Sequence, residues 1–115
     1  MIVRVWRAKL NPARLEAYRQ FERAQCLPML RRQPGFLGSL FLRDSADQAI
    51  SLTLWEDGGA VEALASSPSY QKVTRELAKG ELLAGEPSVE VWKVQSGELR
   101  VEALLRVLGG LSSPS

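Results

Sequence analysis

The side chains in this chain that could do chemistry are tyrosines, tryptophans, arginines and a single cysteine, without one histidine. Tyr70 follows Ser67-Pro68-Ser69, which predicts a helix start with Ser67 as cap and Pro68 at the first helical position. A phenol in that first turn can hydrogen-bond a ligand carbonyl or a developing oxyanion. The plainer alternative is that its ring fills the core beside Val73 and its hydroxyl reaches water. Trp6, Trp55 and Trp92 each fall on or at the end of a predicted strand. There they could line an aromatic pocket, or serve as core or subunit-interface residues. Arg4, Arg7 and Arg43 could hold an anionic substrate, although solvated sheet edges or ion pairs between subunits account for them more simply. Cys26 has no histidine or second cysteine to activate it and reads as a small buried hydrophobe.

The same inventory narrows the function classes. Without histidine, and with one cysteine, the usual zinc, copper and non-haem iron ligand sets cannot be assembled, and an internal disulfide is ruled out. No metal or other cofactor is expected. Glycines at Gly58-Gly59 and at Gly80 and Gly85 match no phosphate-cradling pattern and read as helix ends. Asp44, Asp47, Glu56 and Asp57 fall at hairpin ends and caps. The net charge of +2 is small and the basic residues are scattered, so nucleic acid is not an expected partner. No apolar run approaches the ~18 residues of a membrane span, and the N-terminus alternates like a strand, so a soluble cytoplasmic protein is expected.

The elements that must position these side chains are well signalled. With 115 residues, 45% hydrophobic and 24% charged, the chain suits one globular domain. Residues 2–9 predict a first strand, with Val3 and Val5 on one face and Trp6 on the other, the arginines making this second face less than dry. Asn11-Pro12 opens a helix with Leu15, Tyr18 and Phe21 on one stripe, which Pro28 should kink or end. Pro34-Gly35 turns the chain into a hairpin, Phe36 to Arg43 and Ala49 to Trp55. Asp57 then opens a short helix, Ser67 caps another that Gly80 stops, and Ser88 to Val94 is the last strand. The order βαββαβ predicts an α+β, ferredoxin-like fold: a four-stranded antiparallel sheet with helices on one face.

The other sheet face also carries apolar residues, so a homodimer with the sheets packed together is expected. A tail helix from Gly97 to Leu108, ended by Gly109-Gly110, should dock on its own subunit or the partner, with Leu111 to Ser115 frayed.

Leu30-Arg31-Arg32-Gln33-Pro34-Gly35-Phe36-Leu37-Gly38-Ser39, Leu54-Trp55-Glu56-Asp57 and Ala63 through Gln71 together resemble the antibiotic-biosynthesis monooxygenase-type family of dimeric α+β barrels. The resemblance covers about residues 2–94. It implies a barrel domain over residues 1–94, with 95–115 as a helical extension and tail. It also implies a back-to-back sheet dimer and a small-molecule pocket between sheet and helices.

The family includes cofactor-free oxygenases of polycyclic phenols or quinols, haem-degrading enzymes and proteins with no assigned reaction. The asparagine, tryptophan and histidine of the haem-degrading branch fall on Trp6, Leu64 and Thr74, which speaks against haem. The tryptophan of the oxygenase branch again falls on Leu64 and its asparagine on Ala60, while its tyrosine persists as Tyr70. The expectation is a cofactor-independent monooxygenase-like protein acting on a small phenolic or quinol-type molecule with O₂. Tyr70 would be its catalytic group, with Trp6, Trp55, Leu64, Trp92 and Arg43 around the substrate. Alternatives are a non-catalytic dimeric binder of a small ligand and, less consistent with these residues, a haem-binding protein.

Overall fold

Hydrophobic alternation at the N-terminus is realised as strand β1 (Ile2–Lys9) in a computed structural model that describes residues 1–112. Asn11 then caps a 3₁₀ turn at Pro12–Arg14, its side-chain oxygen accepting from the Ala13 N–H at 3.0 Å. The chain continues as α1 (Leu15–Phe21), a π-helical turn at Glu22–Cys26, and α2 (Leu27–Arg31). Pro28 was predicted to kink or end this helix, yet the helix runs on to Arg31. The π turn just before the proline moves each hydrogen-bond partner by one residue, which is one way a helix absorbs a residue with no N–H.

Gly35 takes φ +80°, and a Cβ there would come within 2.6 Å of the Ala60 Cβ, so this position excludes any side chain. Its carbonyl accepts from the Glu56 N–H at 2.9 Å. That bond ties the start of β2 (Phe36–Arg43) to the end of β3 (Gln48–Trp55). Asp57 caps α3 (Gly58–Ser66) through the Ala60 N–H at 2.9 Å, and Ser67 caps α4 (Pro68–Lys79) through the Tyr70 N–H. Gly80 stops α4 as expected, but the left-handed residue is Glu81, at φ 54°. Leu82 then buries its side chain and Leu83 bridges to Leu10, which gives structure to a connection the sequence left open. The last strand is β4 (Ser88–Lys93) and the last helix α5 (Val101–Ser112).

The strands form one antiparallel sheet in the order β2-β3-β1-β4, the ferredoxin-like arrangement. Register decides which residues meet the helices. Ile2, Arg4, Trp6 and Ala8 of β1 stand opposite Trp55, Thr53, Ser51 and Ala49 of β3, and this face carries the helix layer. Val3 and Val5 stand opposite Leu54 and Leu52 on the outer face.

Two apolar clusters fill the space beneath the helices. One contains Ile2, Met29, Leu30, Trp55 and Leu64; the other contains Leu10, Tyr18, Ala49, Leu77 and Leu82.

One expectation for the tail is corrected. α5 continues through Gly109-Gly110 to Ser112, because glycine in a helix costs only about 1 kcal/mol relative to alanine and does not forbid the conformation. Of its apolar side chains, Ala103 and Leu108 are half-buried, while Leu105 and Leu111 are 61% and 77% exposed. Of the segment expected to fray, Leu111 and Ser112 are helical, and the rest lies outside the described residues. Among the described residues no helix is long and apolar enough to cross a membrane.

Candidate functional site

The two apolar clusters do not merge, and the reason lies in the middle of the sheet. On β3 the helix-facing residues run Ala49, Ser51, Thr53, Trp55, so the two central positions carry small polar side chains. A cavity of about 60 Å³ occupies the resulting seam. Arg4, Trp6, Ser51 and Thr53 form its floor with Phe41 of β2. Tyr18, Cys26, Met29 and Leu30 approach it from the first helical run, and Tyr70, Val73, Thr74 and Leu77 from α4. Such a volume holds a few water molecules, whereas pockets for drug-sized ligands run from roughly 300 Å³ upward.

One end of the cavity is organised by a cation. Arg4 donates from Nη2 to the Tyr70 hydroxyl at 2.7 Å, and its guanidinium carbon lies 5.3 Å from the centre of the Tyr70 ring. Both side chains are half-buried. The hydrogen bond uses the phenol oxygen as acceptor, and among the described residues no protein group accepts the phenol proton in turn.

Beside them Thr53, 2% exposed, is fully engaged. Its hydroxyl accepts from the Trp55 indole N–H at 2.8 Å and donates to the Arg4 carbonyl at 3.4 Å. Trp55 is completely buried and stands edge-on to Phe36 at 5.6 Å.

On the Tyr18 side burial weakens the acidity of the titrating groups instead. The Tyr18 ring lies parallel to Trp6, with centroids 6.5 Å apart, and the Arg43 guanidinium sits 5.8 Å from the Tyr18 centroid. Burial raises the Tyr18 phenol well above its ordinary range, and the nearby Glu22 charge adds to this. Burial also raises the Glu22 carboxyl, while Tyr18 and Arg43 pull it back. The Cys26 thiol is pushed up to about 12 by burial and by Glu22. A thiol so placed is almost wholly protonated at neutral pH and is a poor nucleophile.

The residues singled out from the sequence fall in three places. Tyr70 and Trp6 line the cavity together. Trp55 and Leu64 are buried in the cluster against which Tyr70 packs, and neither reaches the cavity wall. Arg43 is not on the cavity wall; its guanidinium sits over the Tyr18 ring. Trp92 stands apart, on the outer sheet face and 60% exposed, its indole N–H donating to Glu90 at 3.2 Å.

Sequence reasoning offered Arg4 only as one of three arginines that could hold an anionic substrate, and missed Tyr18, Ser51 and Thr53 as cavity residues. Strand parity carried the signal, since Arg4 shares a face with Trp6, and Ser51 and Thr53 share one with Trp55.

Several solved structures share this architecture. A monooxygenase from the gene ActVA-Orf6 of Streptomyces coelicolor, solved with nanaomycin D, is 18% identical with a TM-score of 0.74, the match covering 85% of this chain and 90% of that one. A variant of SnoaB, a cofactor-independent oxygenase from Streptomyces nogalater, is 19% identical with a TM-score of 0.67, covering 84% and 94%. Rv0793 from Mycobacterium tuberculosis is 18% identical with a TM-score of 0.69, covering 84% and 96%. At these identities the likeness shows the fold. No curated protein sequence matches the chain. The antibiotic biosynthesis monooxygenase family model, however, matches residues 1–76, from β1 through most of α4 and so nearly every residue of the cavity. By that match, over 76 of its 115 residues, the chain belongs to the antibiotic biosynthesis monooxygenase family.

Proposed function

We propose that the protein binds a small phenolic or quinol-type molecule in the seam between its two core clusters and promotes that molecule's reaction with O₂ without a cofactor. The observation that carries this reading is the Tyr70 hydroxyl, held by Arg4 at 2.7 Å at the wall of a largely apolar cavity. Trp6 offers a ring face for the substrate, and Tyr70 orients or polarises its oxygen. Loss of a proton makes the substrate an electron-rich anion that attacks O₂ directly. When a ring CH₂ becomes a carbonyl, that carbon supplies all the electrons needed. One oxygen atom stays on carbon and the other leaves as water, so no external reductant is required. Arg4 and Met29, the long flexible side chains of the lining, would have to move for a ring system to enter.

The cavity's small volume favours a second reading, in which the family fold binds a small ligand without turning it over. O₂ uptake separates the two. Protein freed of metals by chelation should accelerate O₂ consumption by at least one member of a panel of anthrones, naphthols and hydroquinones. Tyr70→Phe should lower kcat about 10²-fold or more if the phenol acts as a general acid or oxyanion donor. Saturable binding of the same compounds without O₂ uptake would establish the second reading.

We infer a homodimer as part of the same picture. Leu42 and Trp92 on the outer sheet face are 42% and 60% exposed, and Leu105 of α5 is 61% exposed, apolar surface that a second subunit would cover. Light scattering should give twice the monomer mass at micromolar concentration; a monomer there would remove this inference.

A further inference from the structure

We propose that Arg4 makes the cavity selective for ligands that carry an anionic oxygen on or next to an aromatic ring. This rests on the reading of the seam as a ligand site and adds a specificity determinant to it.

Arg4 lies on β1, an inner strand of the sheet, and points toward the helix layer rather than toward water. The ion pairs among the described residues are on the surface, Arg7 with Glu90 at 2.8 Å, Lys9 with Asp47 at 3.9 Å and Arg19 with Glu16 at 3.6 Å. Among the described residues Arg4 has none, and its one hydrogen-bond partner is a neutral phenol. A half-buried guanidinium without a counter-charge carries a desolvation cost that an anionic ligand offsets and a neutral one does not.

The donor count points the same way. Arg4 uses one N–H on the Tyr70 oxygen and keeps others, and the Tyr70 O–H still needs an acceptor. An oxygen placed at this pair can take both. Two threonine hydroxyls on the lining are committed, Thr53 to Trp55 and the Arg4 carbonyl and Thr74 to the Gln71 carbonyl. The pair therefore presents two convergent donors and no competing acceptor, which suits an oxyanion better than a neutral hydroxyl, since the latter must also donate. Trp6 and Met29 supply the apolar surface for the attached ring.

The test compares lawsone, a hydroxynaphthoquinone ionised at neutral pH, with juglone, its isomer that is neutral there, by isothermal titration on the native protein. We expect lawsone to bind about tenfold more tightly, the scale of one charge-assisted hydrogen bond. Arg4→Gln should erase the preference and Arg4→Lys should keep part of it. Each variant's fold is checked by circular dichroism, and the native-protein ratio decides the matter if a variant does not fold. Equal affinities for the two isomers, or a preference unchanged in Arg4→Gln, would overturn the role of Arg4 and leave the pocket standing. If neither isomer binds, both the selectivity and the ligand site fall together.

Discussion

The two core clusters share one helix layer and one sheet face, yet they meet the seam between them with different polar groups. On the Trp55 side the indole N–H is satisfied by a neutral hydroxyl, and the polar group reaching the cavity is a cation bonded to a phenol. On the Tyr18 side sit a phenol, a carboxyl and a thiol, each with its proton held more tightly by burial. A cavity of about 60 Å³ is thus lined from one side by a guanidinium bonded to a phenol, and from the other by a phenol and a thiol whose acidities burial weakens, with Glu22 and Arg43 behind them. The location of this contrast follows from strand β3, where Ser51 and Thr53 interrupt what would otherwise be a continuous apolar core. A site can arise where large side chains stop, without any loop insertion.

If that division is right, mutations on either side of the wall should differ sharply in what they disturb. Trp55→Ala should have the largest effect, a loss of about 3–5 kcal/mol in urea unfolding, because it empties a fully buried site. Against a typical domain stability of roughly 5–15 kcal/mol, this removes a large share of the total. Tyr70→Phe should cost only about 0.5–1.5 kcal/mol, since it deletes one half-buried hydrogen bond and leaves the ring packed. A Tyr70→Phe loss as large as that of Trp55→Ala would break the comparison, making the phenol a structural strut rather than a group held ready for a ligand.

Most of the fold was legible in the sequence because its signals are local. Asp57 and Ser67 cap the helices they were expected to cap, Asn11 caps a 3₁₀ turn that leads into the first helix, and Gly35 takes the positive φ that its turn requires. The site was less legible, since it depends on which parity of each strand faces the helices. Tyr70 and Trp6 could be selected by type, but Arg4 becomes distinctive only once β1 is seen to stand between β3 and β4, with Tyr70 above it. Trp92 shows the converse. Its residue type favours a pocket, while its register opposite Val3 places it on the other side of the sheet. The π turn before Pro28 was invisible for a third reason: a proline signals that a helix must adjust, not how. The tail helix has the apolar stripe of a docked element, yet Leu105 and Leu111 on it are largely exposed in the single chain.

The smallest expected effect tests the Tyr18 side directly. Burial raises the Glu22 carboxyl above its ordinary value, with Tyr18 and Arg43 opposing the shift without cancelling it. Between the ordinary carboxyl pKa and the raised native one, the folded protein binds more protons than the unfolded chain. Stability from this group is therefore present at low pH and is lost as pH rises through that window. Glu22→Gln keeps the shape and an acceptor for the Tyr18 hydroxyl but removes the titration. The variant should gain on the native protein as pH rises from about 4 to about 8, the gain levelling off once the native carboxyl has ionised. Urea midpoints of both proteins along that series measure it. A gain that shrinks with rising pH would mean that Arg43 and Tyr18 outweigh burial, in which case Glu22 is a paired carboxylate and the two ends of the cavity are closer in character than their surroundings imply.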